Sequence, residues 1–276
     1  MATDPQTEAY RRSSVAMAGA AAIYASHAMS TIDLARLLPS LEEYVDLVLR
    51  TSTAASERVI GLARTDFYAT RLAAGIREDA PDWQARPLLD EALRRSLYAT
   101  VGQTLQGIER HGTPAGAAMK RARIQAQGVV TRQVMNAGRN STIATTERDP
   151  RALGAVYVTR EDANVCSWCL MLASRGPVFG SDSFKDADRL FTGTGTAKSH
   201  DACRCVLKTV YSTGSPLLDR AHELEKEWRD VNWSEGWREN PREATIRNSG
   251  KKALNAWRRH VAEQRRAGNP LFGQAT

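Results

Sequence analysis

The placement of the cysteines constrains this chain more than any other feature of its sequence. All four lie between Cys166 and Cys205, in the pattern Cys166-x-x-Cys169 followed by His200-x-x-Cys203-x-Cys205. A Cys-x-x-Cys pair lets two sulfurs reach one ion from a tight turn. In a strand, residues i and i+2 point to the same side, so Cys203 and Cys205 can converge. The spacing therefore predicts a cluster of thiols in the middle of the chain.

Three interpretations of this cluster stand side by side. Zinc binds four nitrogen or sulfur ligands in a tetrahedron, so one structural zinc ion could take four thiolates, or three with an imidazole. Such an ion would staple a loop-rich segment together. The alternatives are reduced thiols packed without metal in a small core, and disulfide or redox chemistry. The candidate metal ligands are Cys166, Cys169, His200, Cys203 and Cys205.

A catalytic role for the same residues requires a thiolate beside a base. Cys169 or Cys203 could pair with His200, oriented by Asp201 or Asp162. The chain contains neither the Gly-x-Ser-x-Gly motif of serine hydrolases nor the His-Glu-x-x-His motif of zinc proteases. The catalytic residues therefore stay unassigned, with Cys169, Cys203 and His200 as candidates.

The first 150 residues have the periodicity of helices. Apolar side chains recur at helical spacing from Leu89 to Ile108, which places one stripe on one face. Breaks over 75–81 and 111–114 separate about four helices, with Pro114 able to open the last one and Asp82 predicted as an N-cap. Short loops favour antiparallel packing of these helices.

The composition and the predicted secondary structure change after residue 150. Residues 155–159 and 203–211 are rich in β-branched side chains and predict two strands. The stretch 176–196 reads mostly as loop, with a short helical turn over 184–191. The predicted fold class is α+β, mainly α. Its three parts are a helical docking or assembly domain (1–150), a small Cys/His-rich α+β module (151–213) and a helical, basic tail (214–276).

Charge points toward acidic partners. The 276 residues include 38 Lys and Arg against 31 Asp and Glu, giving a net charge of +7 and an isoelectric point near 9.4. This balance favours nucleic acid first among such partners. The excess is concentrated at the end of the chain, where Glu263 is the single acid after residue 243. The candidate nucleic-acid contacts there are Lys251, Lys252, Arg258, Arg259, Arg265 and Arg266.

Two interpretations of this basic tail remain open. Its cations could be the solvated face of a helix, with Trp257 as a core anchor, or they could contact phosphates without sequence preference. Elsewhere, no apolar run approaches the ~20 residues of a membrane span. The closest is 15–25, an Ala-rich stretch that favours a packed helix. The expectation is a soluble protein of the cytoplasm, or of a particle assembled there, without a membrane partner.

A resemblance to a phage family rests on two stretches around the cysteines. They are VYVTREDANVCSWCLMLASRGPVFG over 156–180 and HDACRCVLKTVY over 200–211. These stretches resemble the Mu F-like minor head proteins of tailed phages. More closely, they resemble the actinobacteriophage branch often labelled capsid maturation protease. The resemblance covers about 60 residues in the middle of the chain.

The resemblance implies a minor component of the procapsid. Such proteins associate with the portal protein and the head interior, alongside scaffold and major capsid proteins. The family's Cys and His positions carry over onto Cys166, Cys169, His200, Cys203 and Cys205. The leading expectation is therefore a head morphogenesis protein. The alternatives are a capsid maturation protease that cleaves scaffold or major capsid protein, and a nonspecific DNA-binding module inside the head.

Overall fold

The architecture begins with three long helices that pack side by side. The computed structural model describes residues 5–159, 165–177, 203–240, 244–248 and 250–273. Helices α1 and α2 are linked by two short 3-10 turns and pack on each other and on α5. Their bounds are Pro5–Ala28 for α1, Leu37–Ala73 for α2 and Ala115–Thr146 for α5.

Small side chains bring these three helices close together. The Ala-rich stretch predicted to be a packed helix lies in α1, where Ala18, Ala21, Ala22 and Ala25 are buried. On α5, a Cβ atom added at Gly138 would lie 2.8 Å from Val59 Cγ1 of α2. Because only glycine leaves that space empty, Gly138 sets the closest approach of α2 and α5.

The predicted apolar stripe lies on two shorter helices. These are α3 (Asp90–Leu97) and α4 (Gln103–His111), joined by one π-helical turn over Tyr98–Gly102. The stripe is confirmed, because Leu93, Leu97, Val101 and Leu105 are all buried. Leu89, predicted as the first residue of the stripe, does not belong to it, because it precedes α3 and is 69% exposed.

The prediction that Asp82 is an N-cap is wrong. The chain is not helical from residue 76 to 89, and α3 begins only at Asp90. The backbone N–H of Gln84 donates to Thr145 Oγ1 (2.9 Å) and that of Arg86 to Ser141 Oγ (2.8 Å). These bonds hold the segment against α5 and satisfy backbone donors that a helix would otherwise have used.

Within the described residues, two short strands form a sheet. Strand β1 (Gly154–Val158) pairs antiparallel with β2 (Val206–Val210), with Gly154 opposite Val210 and Val158 opposite Val206. Every residue in both strands is buried. Alternate side chains therefore line two different cores. Val156, Val158, Val206 and Val210 belong to the core of the helical bundle, whereas Ala155, Tyr157 and Leu207 belong to a second core that includes the cysteines.

Buried ion pairs join the sheet region to α2. Arg71 Nε lies 2.9 Å from Asp149 Oδ2, with both side chains almost fully buried, and Tyr211 donates its hydroxyl to the same oxygen at 3.0 Å. In β2, Lys208 Nζ lies 3.5 Å from Asp66 Oδ1 of α2. These contacts fix the sheet on the bundle, because a buried charge is tolerated only beside its partner.

Three further helices close the second core. They are α6 (Ser167–Ala173), α7 (Pro216–Asn232) and α8 (Lys251–Arg266). Trp257 of α8 is fully buried, 5.4 Å between ring centroids from Trp228 of α7. The expectation that Trp257 is a core anchor is confirmed. The tail therefore packs on the cysteine region by one face of α8.

The fold class is confirmed as α+β and mainly α. The loop predicted over 176–196, the helical turn within it, His200, Asp162 and Asp201 lie wholly or mostly outside the described residues. The division into three parts stays a prediction. In the described portion no single helix is long and apolar enough to cross a membrane. The segments Pro5–Thr31 and Leu34–Ala73 reach the length and apolar composition of a span only when taken together, and they are bent by 86° at the break between them.

Candidate metal centre

The first cysteine pair is held by the start of α6. Cys166 is the N-cap residue of this helix, and its Sγ accepts a hydrogen bond from the backbone N–H of Cys169 at 3.2 Å. The two sulfurs lie 3.0 Å apart. The Cys-x-x-Cys spacing thus turns both thiols toward one point, because one turn of helix separates them.

The second pair immediately precedes β2. The Sγ atoms of Cys203 and Cys205 are 3.0 Å apart, and Cys203 Sγ lies 3.8 Å from Cys169 Sγ. The sulfurs of Cys169, Cys203 and Cys205 all lie within 4.8 Å of one another. These three residues are buried, and Cys166 is half-buried. The predicted convergence of Cys203 and Cys205 is therefore present in the structure.

The sulfurs are too far apart for a disulfide and close enough to share one ion. A disulfide holds its sulfurs about 2.05 Å apart, whereas neighbouring sulfurs here are 3.0 to 3.8 Å apart. Zn–S bonds of about 2.3 Å in a tetrahedron place sulfurs about 3.8 Å apart. The separation between Cys169 and Cys203 has that value, whereas the pairs Cys166–Cys169 and Cys203–Cys205, at 3.0 Å, are closer together than that. Three buried cysteines close enough to share one ion can thus hold a metal.

A buried arginine from α5 braces this cluster. Arg139 is 1% exposed and donates to the carbonyl oxygen of Cys205 from Nε (2.9 Å) and Nη2 (2.6 Å). Nη2 also lies 3.2 Å from the carbonyl oxygen and 3.3 Å from the Sγ of Cys203. Asn136 Oδ1 accepts from Nη1 at 2.7 Å. One side chain of the helical bundle therefore fixes the backbone of both downstream cysteines.

The electrostatics of the cluster favour a thiolate at Cys203. Hydrogen bonds from the thiols of Cys169 and Cys205 lower the pKa of Cys203 well below its usual value, and the Arg139 guanidinium lowers it further. Sulfur hydrogen bonds involving Cys166 and Cys203, together with burial, raise the pKa of Cys169. Burial lowers the pKa of Arg139, but attraction to Cys203 and Cys205 outweighs it, so the guanidinium stays charged. A cation beside buried sulfurs suits a thiolate cluster that binds metal.

The other predicted site residues divide into two groups. His200, Asp162 and Asp201 lie outside the described residues, so the Cys–His pair is not seen. The basic residues of the tail lie on α8, where Lys251, Lys252, Arg258, Arg259 and Arg266 are exposed. Arg265 differs, because its guanidinium donates to the carbonyl oxygens of Phe272 (2.8 Å) and Val165.

Sequence reasoning missed Arg139. Its neighbours Ala137, Gly138 and Ser141 are small and buried, so the surrounding sequence is that of a helix packed on several sides. One long cation inside such a run is a usable signal, because a buried charge needs a partner elsewhere in the fold. The pattern does not reveal that this partner is the cysteine cluster.

The fold and the site define a mainly helical protein with a buried cysteine centre suited to a metal ion. Comparison with protein families matches residues 1–231 to the model described as VG15 protein, a viral family. The chain belongs to this VG15 family. No curated protein and no solved structure matches the chain.

Proposed function

We propose that this protein is a minor component of a phage head that acts in procapsid assembly. The observation that carries the proposal is the match of residues 1–231 to a viral family. The finer assignment to the Mu F-like minor head proteins rests on the stretches around the cysteines, whose thiols meet in one buried centre.

In this proposal the helical part docks on the portal protein, inside the assembling head, next to scaffold and major capsid proteins. The protein is then present in the host cytoplasm during assembly and in the head interior afterwards. Mass spectrometry of procapsids purified from infected cells tests this placement. We expect the chain in procapsids that contain portal protein and its loss from particles assembled without portal. Its absence from both procapsids and mature virions would contradict the proposal.

We further propose one structural zinc ion, held by Cys169, Cys203 and Cys205 with Cys166 or His200 as the fourth ligand. Zinc would supply a rigid tetrahedral link between α6 and the segment before β2, and its role would be structural rather than catalytic. Protein purified under reducing conditions should contain about one zinc per chain, with thiols masked until a chelator is added. The pair Cys166→Ser and Cys203→Ser should lower both zinc content and stability. Unchanged stability and head assembly in that double variant would refute the structural role.

A capsid maturation protease is the second candidate. The lowered pKa of Cys203 favours it, because a thiolate is the nucleophilic form. Burial opposes it, since Cys203 is fully buried and Cys169 is 7% exposed, so a peptide has no direct access to either sulfur. Co-expression with the scaffold and major capsid proteins of the same virus, followed by intact mass measurement, tests this activity. Cleaved scaffold or major capsid protein that is absent when Cys203→Ala replaces the wild-type chain would support the activity. Uncleaved scaffold and major capsid proteins in assembled heads would exclude it.

A further inference from the structure

Helix α8 has two faces of opposite character. Ala253, Trp257 and Val261 are buried. With 3.6 residues per turn, the exposed cations fall in one continuous sector on the other side. Within the described residues, none of these cations pairs with a carboxylate. Arg258 donates to the side chain of Asn255, and Arg266 donates to the carbonyl oxygen of Ala262. Glu263 lies at the edge of the sector. The members of this basic face are Lys251, Lys252, Arg258, Arg259 and Arg266.

The buried face of α8 is attached to the cysteine segment. Trp257 Nε1 donates to the carbonyl oxygen of Ser167 at 2.8 Å, and Arg265 donates to the carbonyl oxygen of Val165. Val165 and Ser167 flank Cys166 in the chain. The Trp257 ring also packs against Trp228 and Phe272. The basic face is therefore held in a fixed orientation by the same short segment that carries two of the four thiols.

We propose that the basic face of α8 binds the phosphate backbone of duplex DNA. Five cations along a helix about 22 Å long form a linear positive array, which matches the regular line of charge along a duplex. Arg and Lys on such an array recognise phosphates and read no base sequence. This binding is independent of portal docking, so either can fail without the other.

The architecture of α8 argues against a membrane surface as the partner. A helix that lies in a membrane interface buries its apolar face among the lipids. Here the apolar face, with Trp257 and Val261, is already covered by α6, α7 and Phe272. The exposed sector carries the five cations with only Asn255 and Ala262 between them, which suits phosphate contacts outside a lipid phase.

The test compares two triple variants of the full chain with equal loss of charge. The first carries Arg258→Gln, Arg259→Gln and Arg266→Gln on α8. The matched control carries Lys120→Gln, Arg121→Gln and Arg123→Gln, which are also exposed but lie on α5. Binding to a short random-sequence DNA duplex is measured by fluorescence anisotropy at several salt concentrations. Circular dichroism of each variant establishes that the fold is retained.

We expect wild-type affinity to fall by about 40- to 500-fold between about 50 and 200 mM salt, as three to five phosphate contacts require. The α8 variant should lose about one unit of salt slope per substituted residue and bind at least about tenfold more weakly at low salt. The control should keep the wild-type slope. No DNA binding at low salt, or equal losses in both variants, would overturn the proposal. So would tighter binding to polyglutamate or to phosphatidylserine vesicles than to DNA.

Discussion

The guanidinium of Arg139 donates two hydrogen bonds to the main-chain carbonyl oxygen of Cys205, at 2.9 and 2.6 Å. This contact joins α5 of the helical bundle to the cysteine centre, across positions 66 residues apart in the chain. Because Arg139 binds a main-chain oxygen, it fixes the path of the chain before β2 independently of the side chain at position 205. Loss of this contact should therefore disturb both the packing of the bundle and the geometry of the cysteine centre.

Replacing this arginine should weaken both stability and metal binding. Arg139→Met leaves two buried carbonyl oxygens without donors and removes the cation beside the sulfurs, so we expect a loss of about 3–5 kcal/mol in the free energy of unfolding. Arg139→Lys keeps the charge but cannot reproduce the forked geometry and should recover only part of the loss. Urea unfolding and a competitive zinc titration measure the two effects. As the control, Arg123→Met on the same helix is exposed and should change stability by less than about 0.5 kcal/mol.

The buried Asp149 carboxylate should contribute strongly to the stability of the fold. Its Oδ2 accepts from both Arg71 and Tyr211. Asp149→Asn leaves the buried Arg71 charge uncompensated and should cost about 3–5 kcal/mol. Tyr211→Phe removes one bond to a charged acceptor and should cost about 1.5–3 kcal/mol. Thermal and urea unfolding of the two variants provide the comparison, and a greater loss in Tyr211→Phe would contradict this arrangement.

The close approach at Gly138 predicts opposite effects for two glycine substitutions. Gly138→Ala places a methyl group 2.8 Å from Val59 Cγ1, so the Val59 side chain or one of the two helices must shift, at a cost of about 1–3 kcal/mol. Gly61 lies in α2 with no heavy atom within 4 Å of an added Cβ. Gly61→Ala should therefore stabilise the protein by about 0.5–1 kcal/mol through helix propensity. A neutral or stabilising Gly138→Ala would show that the helices are not this close.

Acid should remove the stabilisation that Glu8 contributes. Hydrogen bonds from Arg11, and then Arg12, lower the pKa of Glu8 to about 2 from a reference of 4.5. A lowered folded-state pKa stabilises the fold above the unfolded pKa, and this stabilisation is lost as pH falls from about 4.5 to about 2. Glu8→Gln should therefore cost at most about 1 kcal/mol at neutral pH, because the pair is partly exposed. The difference from wild type in unfolding titrations should shrink through this window and vanish below about pH 2.

Much of the helical part was predictable because burial imposes a period on the sequence. Leu93, Leu97, Val101 and Leu105 follow that period and are buried together, and the break before α5 falls where Pro114 can begin a helix. The convergence of Cys203 with Cys205 was predicted from alternation within a strand over 203–211, and the two thiols do meet, although β2 begins only at Val206. Each of these features depends on neighbours within a few residues, which is the range over which sequence patterns carry information.

Long-range contacts were not predictable in the same way. Asp82 has the local chemistry of an N-cap, but hydrogen bonds to the hydroxyls of Ser141 and Thr145 hold the following non-helical segment against α5. The position of Arg139 beneath Cys203 and Cys205 depends on how α5 packs against β2, which no local pattern encodes. The same holds for Trp257, whose bond to Ser167 spans 90 residues.

The sheet between the two cores also limits where the chain can change length. A one-residue insertion within β1 or β2 would exchange the faces of all later strand residues. The valines that now meet the helical bundle would turn toward the cysteines, and Tyr157 or Leu207 would turn into the bundle. Both cores would then be filled with side chains of the wrong size at once. Insertions and deletions should therefore be excluded from 154–158 and 206–210 in any functional variant, even where single substitutions are accepted.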